Sequence, residues 1–176
     1  MNYIEVSKVK SEKSNEDSIE YIVGEILCKN ELTISTAESC TGGMVAAKLI
    51  SYPGISSSFL EGAVTYSNEA KMKRLGVRKE TLNEYGAVSK ETAKEMVEGI
   101  AKESGSNTSI ATTGIAGPGG GTDEKPVGLV YIAVHVNNNT IVEKCNFSGN
   151  REVVRTSATN YALKMLKIEL EKQNYR

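Results

Sequence analysis

The sequence predicts a single layered α/β/α domain with a mixed sheet. Three observations carry that expectation. Helix-like and strand-like segments alternate through the first two thirds of the chain, the pattern of strands joined by crossover helices. Two strand-like runs, VGLVYIAVHV and TIVEKCNF, then follow one another across Asn137-Asn138-Asn139, which suits an antiparallel hairpin. The chain has 176 residues, enough for one compact domain and short for two.

Residues 1 to about 16 are polar and charged and read as a lead-in, leaving the domain to residues 17–176. Ile19, Ile22, Val23, Ile26 and Leu27 share one helical face. Leu32, Ile34 and Thr36 alternate, so ELTIST reads as a short strand. The chain turns through AESCTGG into a helix carrying Met44, Val45, Ala47, Leu49 and Ile50, apolar most of the way round and expected to be well buried. YPGISSS is a loop. FLEGAVTYS reads as a strand, with a helix from about residue 69 to 75 stopping at Gly76. Ser89 caps the clearest helix, whose stripe is Ala93, Met96, Val97, Ile100 and Ala101. TSIATTG is a strand running into the loop GIAGPGGGTDEKP. After the hairpin, a last helix starts near Asn150 and carries Val154, Ala158, Tyr161, Met165 and Leu166.

Composition removes several function classes. The formal net charge is −1, which gives no broad basic face for nucleic acid. No apolar run approaches the ~18 residues of a membrane span. The polar N-terminus carries no signal-peptide core, so a cytoplasmic location is expected. The three cysteines form no zinc or disulfide spacing, and a single histidine, His135, rules out a multi-histidine metal site. No metal and no cofactor are expected. His135 sits in a strand-like run, a poor place for a mobile base.

Three constellations carry chemistry. In Thr36-Ala37-Glu38-Ser39-Cys40-Thr41-Gly42-Gly43 a strand ends and a helix opens. Helix-terminal N–H groups there would face an oxyanion forming beside Ser39, and Gly42 and Gly43 would let a ligand approach the backbone. Plain helix capping by Ser39 or Thr41 is the competing reading, and Cys40 is a rival nucleophile. In Tyr66-Ser67-Asn68-Glu69-Ala70-Lys71, Asn68 is a natural N-cap that places Lys71 in the first turn. A lysine there opposes the helix dipole, and a lowered pKa would let it take a proton from a hydroxyl. Tyr66 could assist the lysine or the leaving group; a solvated lysine and a sheet tyrosine are the plain alternative. Finally, Thr112 to Thr122 form a glycine loop able to turn N–H groups toward an anion or a carbonyl, and Arg151 or Arg155 at the start of the last helix could grip a phosphate.

Taken in order, TAESCTGG, EGAVTYSNEAK, LGV with YGAVS, TGIAGPGGGTDEKPVGLVYIA and the Ser148-Gly149-Asn150-Arg151 stretch resemble the CinA C-terminal family, the nicotinamide-nucleotide amidases, over roughly residues 17 to 170. The resemblance implies hydrolysis of nicotinamide mononucleotide to nicotinate mononucleotide and ammonia. It carries a catalytic serine, lysine and tyrosine onto Ser39, Lys71 and Tyr66. From the three constellations the substrate is expected to lie among Glu38, Cys40, Thr41, Gly42, Gly43, Thr113, Gly114, Gly117, Gly119, Gly120 and Arg151. The resemblance also implies a homo-oligomer, a dimer favoured. The chain looks like the stand-alone form, so the pyrophosphatase activity of longer relatives is not expected of it. The alternatives are a pyridine-nucleotide-binding module without turnover and a competence-related regulatory module.

Overall fold

The computed structural model describes residues 18–176, so the expected lead-in lies outside the described residues. Eleven elements follow in the order α1 (Ile19–Lys29), β1 (Ile34–Glu38), α2 (Met44–Leu49), β2 (Phe59–Val64), α3 (Asn68–Leu75), α4 (Lys79–Tyr85), α5 (Lys90–Ser104), β3 (Thr108–Gly114), β4 (Leu129–Val136), β5 (Asn139–Asn146) and α6 (Arg151–Lys172). The sheet order is β2-β1-β3-β4-β5. β1 pairs parallel with both β2 and β3, while β3-β4 and β4-β5 are antiparallel. The mixed α/β sheet is therefore as the alternation and the hairpin predict, with a two-residue turn at Asn137 and Asn138.

Two apolar layers sandwich the sheet. One gathers Val23, Leu27, Val45, Leu49, Val154, Leu163 and Leu166 from α1, α2 and α6 over Ile34, Ile110 and Val130. The other packs Met96, Val97 and Ile100 of α5 and Leu75 of α3 against Ala37, Ala111 and Ala133. The small alanines on that face let α5 sit close to the sheet. β1 is buried at every position, as a central strand covered on both faces must be.

Two expectations change. α2 is not well buried all round: Ala47 and Ile50 are exposed, because this six-residue helix packs toward α6 and α1 on one face and buries only Val45 and Leu49. The seven-residue α4 has no counterpart in the sequence reading. It buries only Thr81 and Leu82, too few positions for a helical stripe to show.

The contact between α3 and α5 sets the height of α3 above the sheet. A Cβ built on Gly99 would stand 1.9 Å from the carbonyl oxygen of Leu75. That neighbour is backbone and cannot rotate away. Gly99→Ala is expected to lower the urea midpoint by an amount equal to roughly 2 kcal/mol or more. An unchanged midpoint would show that α3 shifts freely.

Candidate active site

β1, β2 and β3 run parallel, so their C-terminal ends share one edge of the sheet. The chain leaves β1 toward β2 on one side and reaches β3 on the other. The loops after β1 and β3 thus flank a switch point, where open α/β sheets bind ligands. Ser39, Tyr66 and the glycine loop follow these three strand ends directly.

The turn after β1 is held from several directions. Ser39 donates its N–H to the Thr112 carbonyl at 3.0 Å. Glu38 is 1% exposed and turns its carboxylate inward. It accepts from Thr41 Oγ1 (2.6 Å) and from the N–H groups of Gly43 (2.9 Å), Val45 (3.1 Å) and Ala46 (2.8 Å). The helix-terminal N–H groups predicted to face an oxyanion are therefore consumed by Glu38 inside the protein. Thr41 is fully buried, and its hydroxyl also lies 2.7 Å from that of Thr112. Arg155 grips the other side, donating from Nε to the Cys40 carbonyl (3.1 Å) and from Nη2 to the Thr41 carbonyl (2.9 Å). Its expected phosphate-gripping face is turned onto backbone instead. Gly42 takes φ +61° and Gly43 φ +96°, so these glycines are required by the turn's left-handed backbone.

Lys71 meets this turn from α3. Ser67, not Asn68, is the N-cap, its hydroxyl accepting from the Ala70 N–H at 3.1 Å. The cap thus starts one residue earlier than predicted, and Lys71 lies just past the first turn. Its side chain is 1% exposed. Nζ lies 3.2 Å from Ser39 Oγ, 2.7 Å from the Thr65 carbonyl and 3.4 Å from the Tyr66 carbonyl. Among the described residues no carboxylate pairs with it, since both Glu38 oxygens point into α2. Burial holds the Lys71 ammonium below the ordinary lysine range, because a charged amine out of water is disfavoured.

The hydrogen-bond inventory accommodates both protonation states: an ammonium donates to all three oxygens, and a neutral amine can turn its lone pair to one of them. A neutral lysine has two N–H donors and one lone pair. In that form the two carbonyls can take the donors, which leaves the lone pair for the hydroxyl of Ser39. Nothing in the sequence marks the Thr65 and Tyr66 carbonyls for this task, because backbone acceptors carry no residue-type signature.

Tyr66 is placed differently from the sequence reading. It meets Lys71 through its carbonyl, while its 61%-exposed side chain reaches Arg151, whose Nη2 donates to the hydroxyl at 3.1 Å. Arg151 Nη1 donates to the Gly117 carbonyl at 2.9 Å. One guanidinium thus joins the glycine loop to the strand end that holds Lys71. Lys125 tethers the same loop at its far end, donating to the Tyr85 carbonyl at 2.7 Å.

The remaining predicted ligand contacts divide into two groups. Gly42, Gly119, Gly120 and Arg151 are exposed at this edge, and Gly43 is half-buried. Glu38, Cys40, Thr41, Thr113 and Gly117 are buried. Thr113 spends its hydroxyl on the Ala87 carbonyl (2.7 Å), and a Cβ on Gly114 would strike the Leu129 carbonyl. These residues shape the site from behind.

The rival nucleophile and base find no support in their surroundings. Burial pushes the Cys40 thiol up to about 11, far from thiolate at neutral pH. His135 Nδ1 is engaged with Thr140 Oγ1 at 2.8 Å on the hairpin. Among the described residues no three of the metal-ligating types converge, and no helix is long and apolar enough to cross a membrane.

An α/β domain with a serine set against a buried lysine at its strand ends is the class that fold and site define. The model of the CinA C-terminal domain matches residues 16–170, and the chain belongs to that family. It is 60% identical over 158 residues to a competence-damage inducible protein of Clostridium botulinum strain Okra, and 59% over 157 residues to one of Clostridioides difficile strain 630. These matches cover 90% and 89% of this chain, and the chain spans only 39% and 38% of those relatives. Among solved structures it resembles the competence/damage inducible protein CihA of Agrobacterium tumefaciens (TM-score 0.83, 41% identity, 92% of this chain and 99% of that one). It also resembles a CinA superfamily protein of Klebsiella pneumoniae (TM-score 0.85, 35% identity, 90% and 99%).

Proposed function

We propose that this domain hydrolyses the carboxamide of nicotinamide mononucleotide to nicotinate mononucleotide and ammonia, with Ser39 as nucleophile and Lys71 as base. The observation that carries the reading is the 3.2 Å contact between Ser39 Oγ and a buried amine that has no counter-ion among the described residues. The resemblance supplies the substrate.

In the first step Lys71 takes the hydroxyl proton as Ser39 Oγ bonds to the carboxamide carbon, giving a tetrahedral oxyanion. The carbon–nitrogen bond then breaks. Lys71 returns its proton to nitrogen, which leaves as ammonia, and the nicotinoyl group stays as an ester on Ser39. Water attacks that ester, Lys71 takes its proton, and the released Oγ recovers a proton from Lys71. The two carbonyls on Nζ accept hydrogen bonds from either protonation state and keep the amine aimed at Oγ. Arg151 and the glycine loop hold the phosphate-bearing ribose: Arg151 keeps donors beyond the two it spends on Gly117 and Tyr66.

The direct test is ammonia release from nicotinamide mononucleotide by the purified protein. Tight binding of the nucleotide with no ammonia formed would replace the reading with that of a binding module.

The base works only when uncharged. The rate of the chemical step at saturating substrate is therefore expected to rise with pH up to the lowered pKa of Lys71 and to level off above it. A pH profile of kcat that falls across this range would argue that the ammonium form is the active one.

A further inference from the structure

Arg151 is held in place by neutral groups. Its Nη1 donates to the Gly117 carbonyl at 2.9 Å and its Nη2 to the Tyr66 hydroxyl at 3.1 Å. Among the described residues no carboxylate lies within salt-bridge distance of it. It is also the first residue of the 22-residue α6, where the helix dipole presents its positive end and disfavours a cation. A guanidinium kept there suits an anion that arrives from outside. Two of its five N–H donors are spent, and three remain.

Tyr66 turns its two polar ends to different tasks. Its carbonyl lies 3.4 Å from Lys71 Nζ. Its hydroxyl bonds neither to Lys71 nor to Ser39; among the described residues its partner is Arg151. In accepting from Nη2 that hydroxyl keeps its own hydrogen to donate. The residue is exposed, so the free hydrogen is open to a ligand at the rim. Beside Arg151 a cavity of about 450 Å³ opens between Gly117, Pro118 and Val127 on one side and the first residues of α6 on the other. A guanidinium already fixed at both outer nitrogens has less freedom to lose when an anion binds.

We propose that Tyr66 and Arg151 form one receptor for the 5′-phosphate of the substrate, and that the Tyr66 hydroxyl selects the phosphorylated nucleoside and moves no proton at the reacting carbon. The inference rests on the substrate proposed above. Nicotinamide mononucleotide carries its negative charge on the phosphate alone, at the end remote from the carboxamide. With the carboxamide at Ser39, the phosphate meets the outer rim, where Arg151 and Tyr66 stand. The role differs from the catalytic one that the resemblance carries onto Tyr66. It also makes one residue serve both ends of the substrate, the carbonyl through Lys71 and the hydroxyl through the phosphate. Because the carbonyl belongs to the backbone, Tyr66→Phe removes the second task and keeps the first.

The experiment compares nicotinamide mononucleotide with nicotinamide riboside, the same molecule without its phosphate. Affinity is read by titration calorimetry in Ser39→Ala protein, where turnover does not intrude, and KM and kcat by ammonia release in the active protein. Tyr66→Phe is expected to raise Kd and KM for the mononucleotide about 10-fold, the scale of losing one hydrogen bond to a charged group. The riboside should move less than about twofold, and the loss should fall on KM and not on kcat. Arg151→Met should erase the preference for the phosphorylated substrate, and adding Tyr66→Phe to it should cost little more, since the two groups act as one unit. Circular dichroism fixes the folded fraction of each variant. A Tyr66→Phe enzyme that loses 10-fold or more in kcat at unchanged KM would put the hydroxyl in proton transfer and overturn the proposal. Equal losses for mononucleotide and riboside, or no loss for either, would overturn it as well. If no ammonia forms from either compound, the amidase reading falls; a phosphate preference in binding that Tyr66→Phe removes would still support this receptor, and its absence would sink it.

Discussion

Replacing Lys71 with methionine is expected to cut kcat on nicotinamide mononucleotide by about 10³-fold or more, with little change in substrate affinity. The magnitude follows from removing the general base of a nucleophilic hydroxyl, which leaves serine a weak nucleophile at neutral pH. Ser39→Ala should fall to the same floor, and the double variant should fall no further, because two groups that act as one unit do not contribute additively. Steady-state ammonia release measures all three. A Lys71→Met enzyme altered only in KM would place the lysine in binding rather than in proton transfer.

The same residue predicts a trend in stability. In the unfolded chain a lysine loses its proton near pH 10.4, whereas burial lowers the pKa of Lys71 in the folded state. Between those two values the unfolded state holds more protons. Stability contributed by this site should therefore increase with pH across that window, and the cost of keeping the amine buried is largest below it. Urea midpoints measured as pH is raised toward 10 should show this slope in the unmutated protein and lose it in Lys71→Met. An equal slope in both would indicate that other groups set the trend.

Much of this was legible in the chain because it depends on local chemistry. Gly76 and Gly105 end α3 and α5 in left-handed backbone, Ser89 caps α5 through the Thr92 N–H, and Asn150 caps α6. Each follows from side-chain or backbone preferences that act within a few residues. The meeting of Ser39 with Lys71 is different. It joins positions 32 residues apart, and only the parallel pairing of β1 with β2 brings them together. The motif resemblance could point to both residues; spacing alone could not. Glu38 shows the opposite failure. It stands next to the nucleophile in a glycine-rich turn, so sequence proximity suggested a ligand contact. Strand alternation puts its side chain on the α2 face instead, and four protein donors fill its oxygens there. Arg155 eluded the reading because the carbonyls it holds lie more than a hundred positions earlier.

Glu38→Ala should be the most destabilising single change at the site, by about 3 kcal/mol or more in urea unfolding. The estimate rests on an asymmetry: a hydrogen bond contributes modestly when made, but a buried donor left without an acceptor costs about 1–3 kcal/mol. Removing this carboxylate strips an acceptor from three N–H groups and from the Thr41 hydroxyl, which keeps Thr112 as its other neighbour. Water entering the space left behind would offset part of the loss, so the full sum of four donors is not expected. Glu38→Gln should recover less than its shape suggests. Its carbonyl oxygen can still accept, but its NH2 group faces N–H donors in place of the second oxygen. The expected order of urea midpoints is thus Glu38, then Gln, then Ala, at an unchanged m-value. If alanine matched the unmutated protein, the carboxylate would not be what holds the nucleophile's turn, and the orientation of Ser39 would have to come from Arg155 and Thr112 alone.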